Sequence, residues 1–267
     1  MEKIGLIAGN RKFPLCFAEA ARKNGFSVAA VAIKGDTSRK LRSLVDEIHW
    51  LGLDEFSRMF EIFKAAGVTK VAMAGQISPR SLFSPRIQRD ARLKELLAGL
   101  TDKRADTIFK AIAEMLEKSG FQLLDSTVFL KDYLPQKGTL TRKQPDFKAW
   151  EDIYFGLAMA KEIAGLDIGQ TVAVKEKAIV AVEALEGTDN LIRRAGQITK
   201  DRAVIVKVSK PHQDLRFDIP VVGLNTVKNL VRIKASCLAI EADKTLFFDR
   251  EASVRLADTK GLSIVAV

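Results

Sequence analysis

Cysteine is nearly absent from this 267-residue chain, and its two cysteines, Cys16 and Cys237, stand far apart in apolar sequence. That excludes a disulfide framework and C-x-x-C redox or zinc motifs, and both residues read as reduced core thiols. Histidine is equally scarce. His49 and His212 have no neighbour at metal-ligand spacing, so the H-E-x-x-H zinc hydrolases drop out. No serine occupies a G-x-S-x-G elbow, which removes that covalent hydrolase mechanism. No apolar run approaches the roughly 20 residues that cross a bilayer. The first apolar stretch, residues 4–8, is broken by Gly9, so no secretory leader is expected and the chain is expected in the cytoplasm. Low-complexity tracts and internal repeats are missing too, which argues against disorder and solenoids.

What is present is a globular composition with a basic excess. Hydrophobic residues make up 47%, enough to fill substantial cores, and 43 basic against 33 acidic residues leave a net charge of +10. Such a charge favours an anionic partner. The basic residues are interspersed with acids and lack the aromatic interleaving of a nucleic-acid track, so no nucleic-acid partner is expected. Phosphorylated metabolites and acidic lipid surfaces remain.

Apolar runs at 4–8, 27–33, 47–51 and 69–74 alternate with helical patterns opening at Phe13 and spanning 53–66, 91–100 and 105–119, with a last strand at 121–127. Strand and helix in alternation predict right-handed crossovers and a parallel sheet, a Rossmann-like domain over residues 1–134. Residues 135–145 are polar and basic between two prolines and read as a linker or a functional loop. Residues 146–267 begin with a helix and then become richer in strands, with a hairpin turning at 175–177. The predicted fold class is therefore α/β, an N-terminal parallel-sheet domain followed by a C-terminal mixed-sheet α/β domain.

Several residues carry candidate chemistry. Gly9, Asn10 and Arg11 form the turn between the first strand and helix, and Gly75 and Gln76 close the fourth apolar run. Such turns at strand ends are where open α/β sheets bind ligands, although the spacing fits neither G-x-G-x-x-G nor G-x-x-x-x-G-K-[ST]. A tight turn with a basic surface is the alternative. Glu183 interrupts an apolar strand, and an unpaired buried carboxylate costs several kcal/mol, so it is paired, exposed or functional. Thr188 is a candidate N-cap for a helix carrying Asp189, Arg193 and Arg194, either a phosphate cradle or an ordinary capped helix. Residues 213–220 alternate strictly. An extended chain would aim Asp214, Arg216 and Asp218 to one side, an arrangement suited to magnesium-assisted phosphoryl chemistry or to an amphipathic edge strand.

At these residues the sequence resembles the LpxI-type UDP-2,3-diacylglucosamine pyrophosphatases. The resemblance rests on VEALEGTDNLIRRAG at 182–196, KVSKPHQDLRFDIPVVG at 207–223, LAIEA at 238–242, DRE at 249–251, GLIAG at 5–9 followed by Pro14, and LDIGQ at 166–170. It covers essentially the whole chain. It implies a UDP-binding N-terminal domain, a catalytic C-terminal domain, and the lipid-bearing substrate between them. The implied reaction is Mg²⁺-assisted hydrolysis of UDP-2,3-diacylglucosamine to UMP and 2,3-diacylglucosamine 1-phosphate (lipid X), with water attacking the sugar-side phosphorus. The family's Asp-hydrophobic-Pro motif maps onto Asp218, as metal ligand or water-orienting base beside Asp214 and Arg216. Asp189 is the second expected metal ligand. Gly9, Asn10, Arg11, Gly75, Gln76, Gln170, Thr188 and Arg193 are the expected substrate contacts. The resemblance further implies a homodimer, and the acyl chains of the substrate imply reversible contact with the anionic inner-membrane surface. Two other readings stay open on the residues alone: a nicotinamide-dependent oxidoreductase, which saturable NAD(P)H binding would reveal, and a non-catalytic nucleotide-sugar or lipid-binding protein, in which Asp218 is only a surface carboxylate.

Overall fold

The computed structural model describes residues 1–78, 84–102 and 104–267, which fall into two compact units. One is Met1–Lys131 with Asp214–Asp218; the other is Asp132–Gln213 with Ile219–Val267.

The first unit runs β1 (Lys3–Ala8), α1 (Phe13–Lys23), β2 (Ser27–Ile33), β3 (Glu47–Leu51), α2 (Arg58–Ala65), β4 (Lys70–Ala74), α3 (Ala91–Ala98), α4 (Ala105–Lys118) and β5 (Gln122–Leu123). Its strands pair in the order β3-β2-β1-β4-β5, all parallel. β1 and β2 are nearly unbroken apolar runs because helices cover both faces of the sheet. Phe63, Met59, Val71, Ile112 and Leu116 belong to one of its cores. The continuous helix expected over 53–66 is instead a single turn at Leu53–Glu55 followed by α2. The Asp90 carboxylate takes the Ser57 backbone N–H at 2.7 Å, so that donor is not committed to the helical ladder.

The second unit runs β6 (Gly138–Thr139), α5 (Phe147–Gly165), β7 (Thr171–Lys175), β8 (Ala178–Val182), α6 (Thr188–Thr199), β9 (Val204–Lys207), β10 (Val221–Val222), α7 (Leu224–Arg232), β11 (Cys237–Ile240), β12 (Leu246–Phe247), α8 (Arg250–Lys260) and β13 (Ser263–Ala266). Its main sheet has the order β6-β13-β11-β9-β7-β8. β13, β11 and β9 are parallel, and β6, β7 and β8 add antiparallel pairings at the two sides. Alternate residues sort to opposite faces: Val172, Val174, Val204 and Val206 pack with Ile153 and Ala160 of α5, while Ala173, Ala181 and Ile205 pack with Leu191, Ile192 and Ala195 of α6. The polar stretch 135–145 does not run free. β6 pairs antiparallel with β13, Leu140 donates to the Ile264 carbonyl at 2.8 Å, and Thr141 Oγ1 accepts from the Ile264 N–H, so the stretch closes a sheet edge that would otherwise expose unpaired backbone. The α/β class and the parallel-then-mixed pair of sheets match the expectation from sequence.

Candidate active site

In the first unit the strand order reverses between β1 and β4, the switch point where open α/β sheets take ligands. The turns after these strands are pressed together. Gly9 N–H donates to the Ala74 carbonyl (2.8 Å) and Asn10 N–H to the Gln76 carbonyl (2.7 Å). A Cβ on Gly9 would stand 2.7 Å from the Gln76 oxygen, and one on Gly75 would stand 2.6 Å from the Asn10 oxygen at a φ of +85°. Only glycine fits either position. The Asn10 side-chain oxygen is buried beside this junction with no donor among the described residues. Thr37 braces the same edge, accepting from Ile33 N–H and donating to the Ala8 carbonyl. Gly9, Asn10, Gly75 and Gln76 are thus brought together, and Arg11 is exposed at the entry to α1 with a left-handed φ of 65°. A cavity of about 320 Å³ lies past the ends of β2 and β3, lined by Lys34, Gly52, Leu53, Asp54, Glu55, Ser84 and Arg86.

Residues 214–218 belong to this unit although they come from the second half of the chain. They are not the extended strand that their alternation predicts. The Asp214 carbonyl accepts from Phe217 (3.3 Å) and Asp218 (3.0 Å) N–H, closing a turn. The Asp214 carboxylate accepts from the Arg216 backbone N–H at 3.0 Å and from its guanidinium at 2.7–3.2 Å. This local side-chain bonding is what overrides the two-residue period. The Arg216 guanidinium holds the Asp214 carboxyl below the ordinary aspartate range, and its other side meets Glu117 of α4 at 2.6 Å. Further contacts fix the turn to the sheet end and to α4. Ser126, just past β5, donates its N–H to the Leu215 carbonyl (2.9 Å), its hydroxyl lies 2.7 Å from the carbonyls of both Arg216 and Met73, and Phe217 stacks on Phe109 at 5.9 Å. Half-buried Asp218 therefore stands at the carboxyl edge of the first sheet, on a turn whose other two charged residues are engaged in holding it. That Asp214 and Arg216 brace the turn is a contact seen only in the fold.

In the second unit Glu183, Thr171 and Lys207 lie in a row across β8, β7 and β9. Lys207 Nζ donates to Thr171 Oγ1 (3.1 Å) and Thr188 Oγ1 (3.0 Å) and lies 3.6 Å from Glu183; Thr188 Oγ1 donates to Glu183 at 2.7 Å. Burial pushes the Glu183 carboxyl up, but Lys207 and the hydrogen bonds outweigh it and hold it below its ordinary value. Thr188 does not cap α6 as expected. Gly187 is the N-cap, and the Thr188 hydroxyl is drawn instead to Glu183. Asp189 spans Asn225 (3.0 Å) and Asn229 (2.9 Å) of α7 with one carboxylate oxygen each. Arg193 is exposed one turn along α6 and donates to Asn190. The Gln170 carbonyl accepts the Val208 N–H at 2.9 Å, placing Gln170 beside the end of β9. Two more ion pairs stand past the β9 and β11 ends, Lys210 with Asp167 at 2.6 Å and the half-buried Lys161 with Glu241 at 2.6 Å, the latter sharing Ser209. Sequence reading singled out Glu183 but missed Lys207 and Glu241, whose one visible signal is a charge ending or following an apolar strand, and Lys161, which lies within α5 and carries no such signal. Among the described residues no three His, Cys, Asp or Glu side chains cluster to hold a metal, and no helix is long and apolar enough to cross a membrane.

Family models place the whole chain. The LpxI N-terminal domain matches residues 3–133 and the LpxI C-terminal domain matches residues 136–265. The chain belongs to the LpxI family. UDP-2,3-diacylglucosamine pyrophosphatase LpxI of Caulobacter vibrioides is 31% identical over 278 residues, covering 100% of this chain and 98% of that protein. The LpxI resemblance read from the motifs is thereby confirmed. Solved structures similar to this LpxI-family chain include the biotin carboxylase domain of Hydrogenobacter thermophilus 2-oxoglutarate carboxylase (13% identity, TM-score 0.28, 74% of this chain and 42% of that one) and the biotin carboxylase subunit of a pyruvate carboxylase (13%, 0.28, 74% and 40%). Likeness at that level bears on neither fold detail nor function.

Proposed function

We propose that this chain is a hydrolase of lipid A synthesis that cuts the pyrophosphate of UDP-2,3-diacylglucosamine, releasing UMP and 2,3-diacylglucosamine 1-phosphate. The observation that carries the reading is Asp218, fixed by the Ser126-anchored turn at the carboxyl edge of the sheet whose switch point holds Gly9 and Gly75. Similarity over the full length, at 31% identity, to a protein named for this activity supports it.

In this reading the nucleotide lies over the β1 and β4 turns. The bare backbone of Gly9 and Gly75 admits close approach of a pyrophosphate, Gln76 lies beside it, the Asn10 oxygen accepts a hydrogen from the nucleoside, and Arg11 with the amino end of α1 favours the negative charge. Asp218 takes a proton from a water molecule as that oxygen bonds to the sugar-side phosphorus. The bond from this phosphorus to the bridging oxygen breaks, and UMP leaves with the electron pair. Asp214 and Arg216 shape the turn that aims Asp218. Gln170, Thr188 and Arg193 belong to the sugar-phosphate side. Mg²⁺ fits this donor set, because it takes one or two carboxylates and fills its remaining positions with water and substrate phosphates. Asp218, at the carboxyl edge of the first sheet, is the carboxylate that would hold it. The ion would supply neutralisation of phosphate charge when bound. A homodimer and reversible docking on anionic inner-membrane lipids complete the proposal.

The test is hydrolysis in oxygen-18 water, with Mg²⁺ or with excess EDTA, followed by mass spectrometry. Label in the lipid phosphate is expected; label in UMP would reverse the regiochemistry, and absence of both products would end the reading. Asp218→Asn should lower kcat by about 10³-fold or more with little change in Tm, as expected when a group acting in the transition state is removed.

A further inference from the structure

The row Glu183–Thr171–Lys207 continues a layer that is otherwise apolar. One step below it, in register across the same three strands, stand Ala181, Ala173 and Ile205, all buried beneath α6. By the two-residue period the next row projects toward the same helix, and it consists of a carboxylate, a hydroxyl and an ammonium, each at least nine-tenths buried. Burying an ion pair brings no net stability over a well-packed apolar row of similar volume. The charge here needs a reason other than stability.

Its geometry supplies one. Lys207 Nζ spends two of its three hydrogens on Thr171 and Thr188 and lies 3.6 Å from Glu183 Oε2, an ion pair without a hydrogen bond. The Thr188 hydroxyl donates its one hydrogen to Glu183 and accepts from Lys207, so it has no hydrogen left to offer an anionic ligand. Thr188 is the first residue of α6, directly after Gly187 at a φ of +81°, and the row is its anchor on the sheet. We propose that Glu183, Thr171 and Lys207 are positioning residues that act through Thr188, fixing the amino end of α6 where it meets a phosphate of the substrate. The inference rests on the hydrolase reading for the identity of that phosphate. It changes the part assigned to Thr188, whose hydroxyl orients the helix end and leaves the ligand to the backbone.

The test compares Glu183→Gln, Lys207→Met, Thr188→Val and Thr188→Ser in the full chain, by steady-state kinetics on UDP-2,3-diacylglucosamine and by amide hydrogen exchange without substrate. A helix end that binds ground state and transition state alike predicts KM raised about 10-fold or more in the first three variants, kcat within about 3-fold, and near wild-type values for Thr188→Ser. The amides of residues 187–191 should exchange at least about 10-fold faster in Glu183→Gln and Thr188→Val, with the last turn of α6 unchanged. Variants that lower Tm while leaving KM and these exchange rates alone would overturn the proposal, as would Thr188→Ser behaving like Thr188→Val. Thr188→Val is near-isosteric and keeps the ion pair, so it remains informative if Lys207→Met does not fold. If the wild-type chain hydrolyses nothing, the hydrolase reading fails, and the exchange rates alone decide the row, unchanged rates overturning it.

Discussion

Glu241 shows how the end of a strand stabilises a charge. Burial pushes its carboxyl up, but Lys161, Lys244 and both polar groups of Ser209 outweigh that and bring it to about 2 from an ordinary 4.5. The folded value lies below the unfolded one, so the stabilisation is complete above pH 4.5 and is lost as pH falls toward 2. Glu241→Gln should therefore have a lower Tm than the wild type near neutrality, and the gap should narrow steadily between pH 4.5 and 2. Thermal unfolding across that range checks it; a constant gap would mean that the carboxylate charge is not what the lysines read. The same residue explains a limit of sequence reading. Glu241 follows an apolar strand as Glu183 follows another, and both are visible as charges out of pattern. The partner of Glu241 is not, because Lys161 is 80 positions from it along the chain and only the α5–sheet packing brings them to 2.6 Å.

At the scale of elements, the β7–β8 hairpin was legible from the charged run 175–177 between two apolar runs, and its support was not. Glu176 and Lys177 turn the chain with φ of 53° and 57°, left-handed values that residues with a Cβ adopt at a cost. Asp152, buried in α5, offsets it by accepting both turn N–H groups, at 3.0 Å and 2.6 Å. Asp152→Ala should destabilise the second unit by about 2–4 kcal/mol, because two charge-assisted bonds are lost at once. Lys177→Gly in the same background should recover about 1 kcal/mol by relieving the backbone. Urea unfolding of the three proteins measures both; an Asp152→Ala midpoint equal to wild type would show that water replaces the carboxylate without penalty. The opposite failure of legibility occurs at 214–218. There the hydrophobic period points to a strand, yet Asp214 has a guanidinium and three backbone N–H groups within two to four residues to engage, and local hydrogen bonding wins. The first switch-point turn, by contrast, was readable because β1, Gly9 and α1 follow one another in sequence.

At the scale of the whole molecule, the net charge of +10 and the sequence order of the two units lead to separate expectations. Docking on anionic lipid by charge should be steeply salt-dependent: vesicles of phosphatidylglycerol and phosphatidylcholine should retain the chain at low ionic strength and release most of it by about 0.5 M salt, where the screening length falls to a few ångströms. Retention that ignores salt would mean insertion of apolar groups instead. The unit boundaries make a sharper claim. The chain passes from the first unit to the second after Lys131, returns for Asp214–Asp218, and leaves again, so residues 1–131 are not a complete folding unit. Cut there, the Ser126 N–H loses the Leu215 carbonyl, Glu117 loses Arg216, and Phe109 loses its 5.9 Å stack with Phe217. These losses predict that residues 1–131 alone unfold at lower urea than the same fragment joined to 212–220 by a flexible linker, a difference of about 2–3 kcal/mol from an unmet buried donor and an aromatic contact. Equal midpoints would show that Asp214–Asp218 merely rests on the first unit. The expected gap would mean that the segment carrying Asp218 is part of what holds the first unit together, so that a substitution at Ser126 or Phe109 weakens that fold and displaces Asp218 in one step.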